Sequence, residues 1–178
     1  MADRKKRRSK RDTISVESIK KLIKQGAKTS INEKKNVRVS KKASLVLRDT
    51  SETLIKELAE ACRLFLIKNN RKTTRDDTIL YVIEHGKKNW GVNISTVQSI
   101  SLRNKQSSLS RTGIVRVFKT STGKDFRVSQ KAKRCLVSVV EAYILNIGKS
   151  AGRFADSANR STIKTKDISN SLDSLIYP

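Results

Sequence analysis

Val37-Arg38-Val39-Ser40-Lys41-Lys42-Ala43 returns 89 positions later as Phe126-Arg127-Val128-Ser129-Gln130-Lys131-Ala132. Without a gap, the same offset lays Leu47 on Leu136, Glu52 on Glu141, Ile55 on Ile144 and Phe65 on Phe154. It then lays Asn70-Arg71 on Asn159-Arg160, Thr73 on Thr162 and Ile79 on Ile168. One offset held over roughly 40 residues marks an internal duplication. Each copy has the same order: a basic loop ending in Arg-Val-Ser, a long stretch of helical periodicity, a basic Asn-Arg loop and a short last helix.

The balance of charge says what such a unit is for. The 178 residues carry a formal net charge of +24 and a pI near 10.5, far beyond what solubility requires. A polyanionic partner is the physical explanation, with DNA or RNA ahead of an anionic membrane. No apolar run has the length of a membrane span, and the N-terminus is charged, so neither a membrane partner nor a secretory signal is expected. Cys62 and Cys135 fall at non-equivalent points of the two copies, without a metal-ligand spacing, and read as small buried apolar residues of a reducing compartment. The one histidine, His85, sits near a helix end with no carboxylate or thiol constellation around it. The expectation is therefore a protein that is not an enzyme and needs no cofactor or metal.

Residues 1–12 carry seven lysines and arginines and read as a disordered basic tail. A short helix is predicted from Ser15, with Ile19, Leu22 and Ile23 as its apolar stripe and Gly26 as its stop. Copy two answers, at an offset of 95, with Ser110 as cap and Ile114, Val117 and Phe118 as stripe. The long helix begins at Ser40 in copy one and is apolar along one side. Its counterpart in copy two is apolar more broadly, interrupted only by Gly148 and Gly152. At 1.5 Å per residue, roughly 30 residues make a rod about 45 Å long. Two short helices do not cover such a rod, and units of this size bury too little by themselves. Each rod needs the other one crossing it. Last helices are predicted at about Arg75–His85 and Thr165–Ile176, after loops in which Asn70 and Asn159 take a left-handed turn. The segment from Gly86 to Leu109 reads as a polar, weakly structured connector anchored by Trp90. Aromatic residues make up only 4% of the chain, which argues against single-strand binding by base stacking.

Short helix, basic loop, long helix, basic Asn-Arg loop and short helix together resemble the histone fold. Copy one, with Arg38-Val39-Ser40 and Asn70-Arg71-Lys72-Thr73, is most similar to archaeal histones and the generic core histones. Copy two, with Asn159-Arg160-Ser161-Thr162-Ile163 and Asp167-Ile168, is closer to the core histone that is the basic partner of the outer heterodimers in nucleosomes. Two copies in one chain resemble the histone doublets of giant DNA viruses and, less closely, fused archaeal histones. The resemblance covers residues 13–85 and 110–178. It implies an all-α protein of two tandem histone folds that pair as an intramolecular pseudo-dimer, joined by a connector over 86–109. Two departures stand out: the first loop of copy one is longer than the family norm, and copy one has Asp77 where the register of Asp167 predicts position 78.

The resemblance also implies where duplex DNA would lie. In the histone fold the rods cross antiparallel, so the first loop of each copy lies beside the second loop of the other, and the paired first helices make a third site. Contacts then go to phosphates at successive inward-facing minor grooves without reading bases. The implied contacts are Lys34, Lys35, Arg38, Lys41 and Lys42 with Arg160, Ser161, Thr162, Lys164 and Lys166 at one edge. Lys124, Arg127 and Lys131 meet Arg71, Lys72, Thr73 and Arg75 at the other, with Lys20 and Arg116 on the first helices. Arg160 and Asp167, seven residues apart, have the spacing of a structural loop pair. The expected function is sequence-independent binding, wrapping and compaction of double-stranded DNA, with other histone-fold pairs, of this chain or of a second histone doublet, as protein partners. The location would be on DNA, in a nucleus, a virus factory and virion, or a nucleoid. Two alternatives stay open: a histone-fold transcription factor with sequence preference, and a basic RNA-binding protein, for which A-form duplexes lack the groove rhythm.

Overall fold

Ser40 and Ser129 start the two long helices by the same device. The Ser40 hydroxyl accepts from the Ala43 amide and the Ser129 hydroxyl from the Ala132 amide, both at 3.1 Å, filling donors that a helix start leaves open. The computed structural model describes residues 14–30, 36–86, 89–103 and 107–176. In chain order these form α1 (Val16–Lys28), β1 (Arg38–Val39), α2 (Lys41–Lys68), β2 (Thr73–Thr74), α3 (Asp76–His85), α4 (Ile94–Leu102), α5 (Arg111–Thr122), β3 (Arg127–Val128), α6 (Gln130–Ser157), β4 (Thr162–Ile163) and α7 (Thr165–Ile176). Two tandem copies of helix, long helix and helix therefore pair within one chain, all-α apart from four two-residue strands.

The pairing exchanges neighbours between the copies. First helix α1 of copy one packs most extensively on α6 of copy two, and α5 packs on α2. Strand β1 lies parallel to β4, and β2 parallel to β3, so each short bridge also joins one copy to the other. The rods are equal in length, at 28 residues and about 42 Å, but α6 buries fifteen of its residues and α2 ten. Helix α6 is the axis of the molecule, covered by α1, α4 and α7 and crossed by α2.

Three readings of the sequence need correction. Gly26 does not stop the first helix, which runs on to Lys28. It lies buried where a side chain would overlap the Leu145 carbonyl oxygen, while a Cβ on Gly148 would stand 2.7 Å from the Ile23 carbonyl oxygen and one on Gly152 2.9 Å from Ala27 Cβ. These glycines are notches that let α1 and α6 approach closely; without Cβ atoms the backbones meet where two ordinary helices would be held apart. Ser15 precedes α1 without a side-chain cap, and Ser18 instead donates to the Ser108 carbonyl at 2.7 Å. The connector is not weakly structured: α4 occupies Ile94–Leu102, its start capped by Asn93, whose Oδ1 accepts from the Ser95 amide at 2.8 Å. Val97 and Ile100 turn inward from it and Trp90 is buried ahead of it. Asn146 Nδ2 donates to the Gly91 carbonyl at 3.0 Å and Ser107 Oγ to Glu141 at 2.5 Å, clasping the connector along α6.

Candidate nucleic-acid interface

The two parallel bridges decide which cations become neighbours. At β1–β4, Arg38 is in register with Thr162 and Val39 with Ile163, and the Arg38 amide donates to the Ser161 carbonyl at 2.8 Å. Exposed Arg38, Lys41 and Lys42 thus sit beside exposed Ser161, Lys164 and Lys166. At β2–β3, Thr73 is in register with Arg127 and Thr74 with Val128, and the Arg127 amide donates to the Lys72 carbonyl at 2.8 Å. Here exposed Arg71, Lys72 and Arg75 sit beside exposed Lys124, Arg127 and Lys131. The bridges tie the two loops backbone to backbone, and the long cationic side chains are exposed, available to phosphate.

Each second loop turns on an asparagine with positive φ, 50° at Asn70 and 53° at Asn159, a conformation that asparagine tolerates better than most side chains. Beyond that turn the loops differ. Arg160 donates to both oxygens of Asp167, Nη1 to Oδ2 at 3.0 Å and Nη2 to Oδ1 at 2.8 Å, and Nη1 also donates to the Thr162 carbonyl at 3.0 Å. The Lys164 amide donates to Asp167 Oδ2 at 2.8 Å. The Asp167 side chain is 2% exposed. Burial works to raise its carboxyl, but the hydrogen bonds from Arg160 and from the Lys164 backbone, together with both positive charges, outweigh burial and hold it below the ordinary carboxylate value. The bond to Asp167 likewise raises Arg160. In copy one the equivalent position is Thr78. It is 2% exposed, and the two last helices start at equivalent residues, Asp76 and Thr165. Asp77 lies in the first turn of α3 and accepts only locally, from the Thr78 amide at 2.5 Å and the Thr78 hydroxyl at 3.2 Å. Among the described residues Arg71 has no ion pair.

The first helices carry the remaining expected contacts. Lys20 is paired with Glu17 at 2.8 Å on α1, and Arg116 is exposed on α5. Lys34 and Lys35 lie outside the described residues, as does the basic tail. Other cations collect where the sequence reading placed no contact. A groove of about 580 Å³ between the middle of α1, the end of α4, the start of α5 and α6 is lined by Lys21, Arg103, Arg111 and Arg134, with Glu141 the one acidic side chain. A second, of about 840 Å³ between α5, its following loop and the start of α6, adds Lys119 and Lys133 to Arg111, Arg116 and Lys124, over Val115 and Phe126. The signal was present on α5, where Arg111, Arg116 and Lys119 run along the side away from Ile114 and Phe118. Of these three, only Arg116 was expected to touch DNA. Among the described residues there is no group of acidic, histidine or cysteine side chains able to hold a metal ion, and no helix long and apolar enough to cross a membrane. Burial, and then the charge of the other thiol, pushes Cys62 up to about 12, and burial with Asp76 does the same to Cys135.

Residues 94–172, from α4 through most of α7, match the family model of the core histone H2A/H2B/H3/H4 domain. The chain adopts the histone fold. The crystal structure of the histone from Methanopyrus kandleri superposes with a TM-score of 0.70 at 16% identity, covering 92% of this chain and 96% of that one. Coverage that high includes both copies, so the paired arrangement is matched within one chain of that histone. A protein of known structure from Thermus thermophilus superposes with a TM-score of 0.59 at 12% identity, covering 89% of this chain and 94% of that chain. No curated protein matches the chain in sequence.

Proposed function

We propose that this histone-fold chain binds duplex DNA without regard to sequence, and that several chains wrap and compact it into nucleosome-like particles. The general part, a histone-like DNA-binding role, follows from the fold and the core histone match; the wrapping is our reading. The observation that carries it is the pair of parallel bridges, which set the basic loop of each copy against that of the other at both ends of the crossed rods. Between them, the grooves at α1 and α5 are lined with more cations. Lys34, Lys35, Arg38, Lys41, Lys42, Ser161, Thr162, Lys164 and Lys166 would serve one edge, and Arg71, Lys72, Thr73, Arg75, Lys124, Arg127 and Lys131 the other. Lys20 and Arg116 would serve the middle. Contacts of this kind recognise phosphate spacing and groove rhythm and give no handle on base identity. Residues 13–85 and 110–178 act as the two binding copies, with 86–109 as a strut between them, and the protein would be found on DNA, as chromatin or nucleoid material.

A salt titration with random-sequence duplex tests this. Each neutralised phosphate contributes a log–log slope of about −0.9, so a slope steeper than about −3 is expected, with less than roughly 100-fold preference for any sequence. A shallow slope or a strong sequence preference would favour the transcription-factor alternative. Equal affinity for A-form RNA duplex would favour the RNA alternative. Nuclease digestion of the reconstituted complex then reports, from the protected length, how many chains wrap one DNA segment.

A further inference from the structure

The same flank of the two rods is finished in opposite ways. In copy one it presents Arg48, Asp49, Glu52 and Lys56, two charges of each sign, with Arg48 paired to Asp49 at 2.9 Å. At the equivalent positions of α6 stand Val137, Ser138, Glu141 and Leu145, and the end of the connector lies against the first three. There Lys21 of α1, Arg103 after α4, Arg111 of α5 and Arg134 of α6 line one groove. All four are exposed, and among the described residues none of them has an ion pair. Glu141 is the one carboxylate present, and its Oε2 already accepts from the Ser107 hydroxyl at 2.5 Å. Copy one has no such groove: Leu45 stands at the position of Arg134, and Arg103 belongs to the connector alone.

We propose that this groove binds the phosphate backbone of duplex DNA, so that the connector, and not only the two copies, holds the DNA. The inference rests on the reading of the chain as a DNA-binding protein and adds to it an element that neither copy contains. Four unpaired cations against one carboxylate are an excess that a polyanion neutralises. The rest of the lining favours phosphate over an acidic protein. Ser101, Ser108 and Thr112 add hydroxyls, groups that donate to phosphate oxygens alongside arginine and lysine. The apolar residues of the lining, Leu22, Ile100, Leu109 and Val137, are all buried, which leaves an acidic peptide no apolar anchor. The wall is also preformed, so binding orders little that is not already fixed. Ser107 accepts from the Leu109 amide at 3.2 Å while holding Glu141, and Leu109 is inserted into the core. Ser18 donates its hydroxyl to the Ser108 carbonyl at 2.7 Å, and Ser110 caps α5 by accepting from the Gly113 amide at 3.3 Å. The connector end is thereby tied to both first helices, whose Lys20 and Arg116 are the contacts proposed for the middle of the DNA path. At the rim, between Ser101 and Arg103, Leu102 stands 83% exposed.

Salt titrations of the full chain with random-sequence duplex test this. Arg103→Ala with Arg134→Ala should lower the log–log slope by about 1.8, two phosphates at about 0.9 each. The melting temperature should stay within error, since neither side chain has an ion pair within the fold; a merely structural role would move the melt and not the slope. Lys56→Ala, on the equivalent flank of copy one, should leave the slope unchanged. Photocrosslinking locates the contact independently. Cys62 and Cys135 are both buried, so Leu102→Cys supplies an accessible thiol for a photoreactive label. That label should crosslink to the duplex, and the same label on Lys56→Cys should not. An unchanged slope without Arg103 and Arg134, or equal crosslinking from the two labels, would overturn the proposal and leave DNA binding by the two copies standing. Binding of poly-glutamate that these substitutions weaken more than they weaken duplex binding would assign the groove to an acidic protein and overturn it equally. If the unsubstituted chain shows no salt-dependent duplex binding at all, the functional reading falls first and this inference falls with it.

Discussion

The loops Asn70–Thr78 and Asn159–Asp167 have the same length, the same left-handed asparagine and the same parallel bridge to the opposite copy, yet only the second is locked. In copy two an arginine and a buried aspartate grip each other at both oxygens, and the same carboxylate holds the Lys164 amide. In copy one a buried threonine fills the aspartate's place and the arginine is left to solvent. The first helices show the same inequality. Helix α1 reaches α6 through Gly26, Gly148 and Gly152, whereas α5 meets a rod that carries Ala59 and Arg63 at the positions of Gly148 and Gly152. Duplication supplied two equal halves; the present residues make copy two the rigid scaffold and copy one the half with the free loop arginine.

The largest effect should come from removing the comparison altogether. Residues 1–90 expressed alone should fail to fold, because α2 loses the crossing rod and α1 loses α6. A cooperatively melting monomer of that fragment would show that the halves are independent. Next comes the notch. Gly26→Ala forces a Cβ into the Leu145 carbonyl, and overpacking of that kind should cost about 1 to 3 kcal/mol even though alanine is the better helix former. At the corresponding place in copy two, Ser121→Ala should stay within about 0.5 kcal/mol as a minor change. Similar losses in chemical denaturation would mean that α1 and α5 pack alike after all.

The loop lock should come third. Asp167→Asn leaves Arg160 facing a neutral amide in a buried site and should cost about 1 to 3 kcal/mol, against less than about 1 kcal/mol for Asp77→Asn, which changes only local bonds to Thr78. The acid dependence gives a second handle. The folded-state value of Asp167 lies below its ordinary 3.8, so the stability it adds is fully present above about pH 5 and is lost as pH falls through the folded value. Melts of wild type and Asp167→Asn should therefore differ by a constant amount near neutrality and converge in acid. A gap that persists unchanged at pH 2 would put the effect on packing and not on charge.

Most of the fold was legible because a duplication tests its own reading: Ser40 and Ser129, Asn70 and Asn159, and the pairs of bridging residues each recur at one offset. What escaped had no counterpart in the other copy. Gly26, Gly148 and Gly152 look like helix breakers along one chain, and become close-approach points only when two helices are known to cross there. Helix α4 lacks charged residues and has apolar positions at spacings of three, so its helical signal was weak; it forms because Val97 and Ile100 have a flank of α6 to cover, where α2 presents Arg48, Glu52 and Lys56. Thr78 is buried although threonine is at home on surfaces, because its register with Asp167 turns it inward. On the interface, the cations of the loops followed from pattern, while Lys21, Arg103, Arg134 and Lys133 became candidates only when the grooves brought separate elements together.

The smallest predicted effect on stability is the sharpest test of the asymmetry, because it separates two arginines that sequence alone treats as equivalent. Arg71 is exposed in a loop that has no carboxylate to hold it, so Arg71→Ala should leave the melting temperature within error and lower the salt slope of DNA binding by about one phosphate's worth, near 0.9. Arg160 already spends its donors on Asp167 and the Thr162 carbonyl. Its removal strands a buried carboxylate, so Arg160→Ala should lower the melting temperature clearly while changing the salt slope less than Arg71→Ala does. Lysine substitutions divide the two roles further. Arg71→Lys keeps the charge and should keep the slope, whereas Arg160→Lys loses the planar fork that matches both carboxylate oxygens and should not restore the melt. If both arginines move the slope equally and neither moves the melt, the Arg160–Asp167 pair opens on DNA, and the rigidity assigned to copy two belongs only to the free protein.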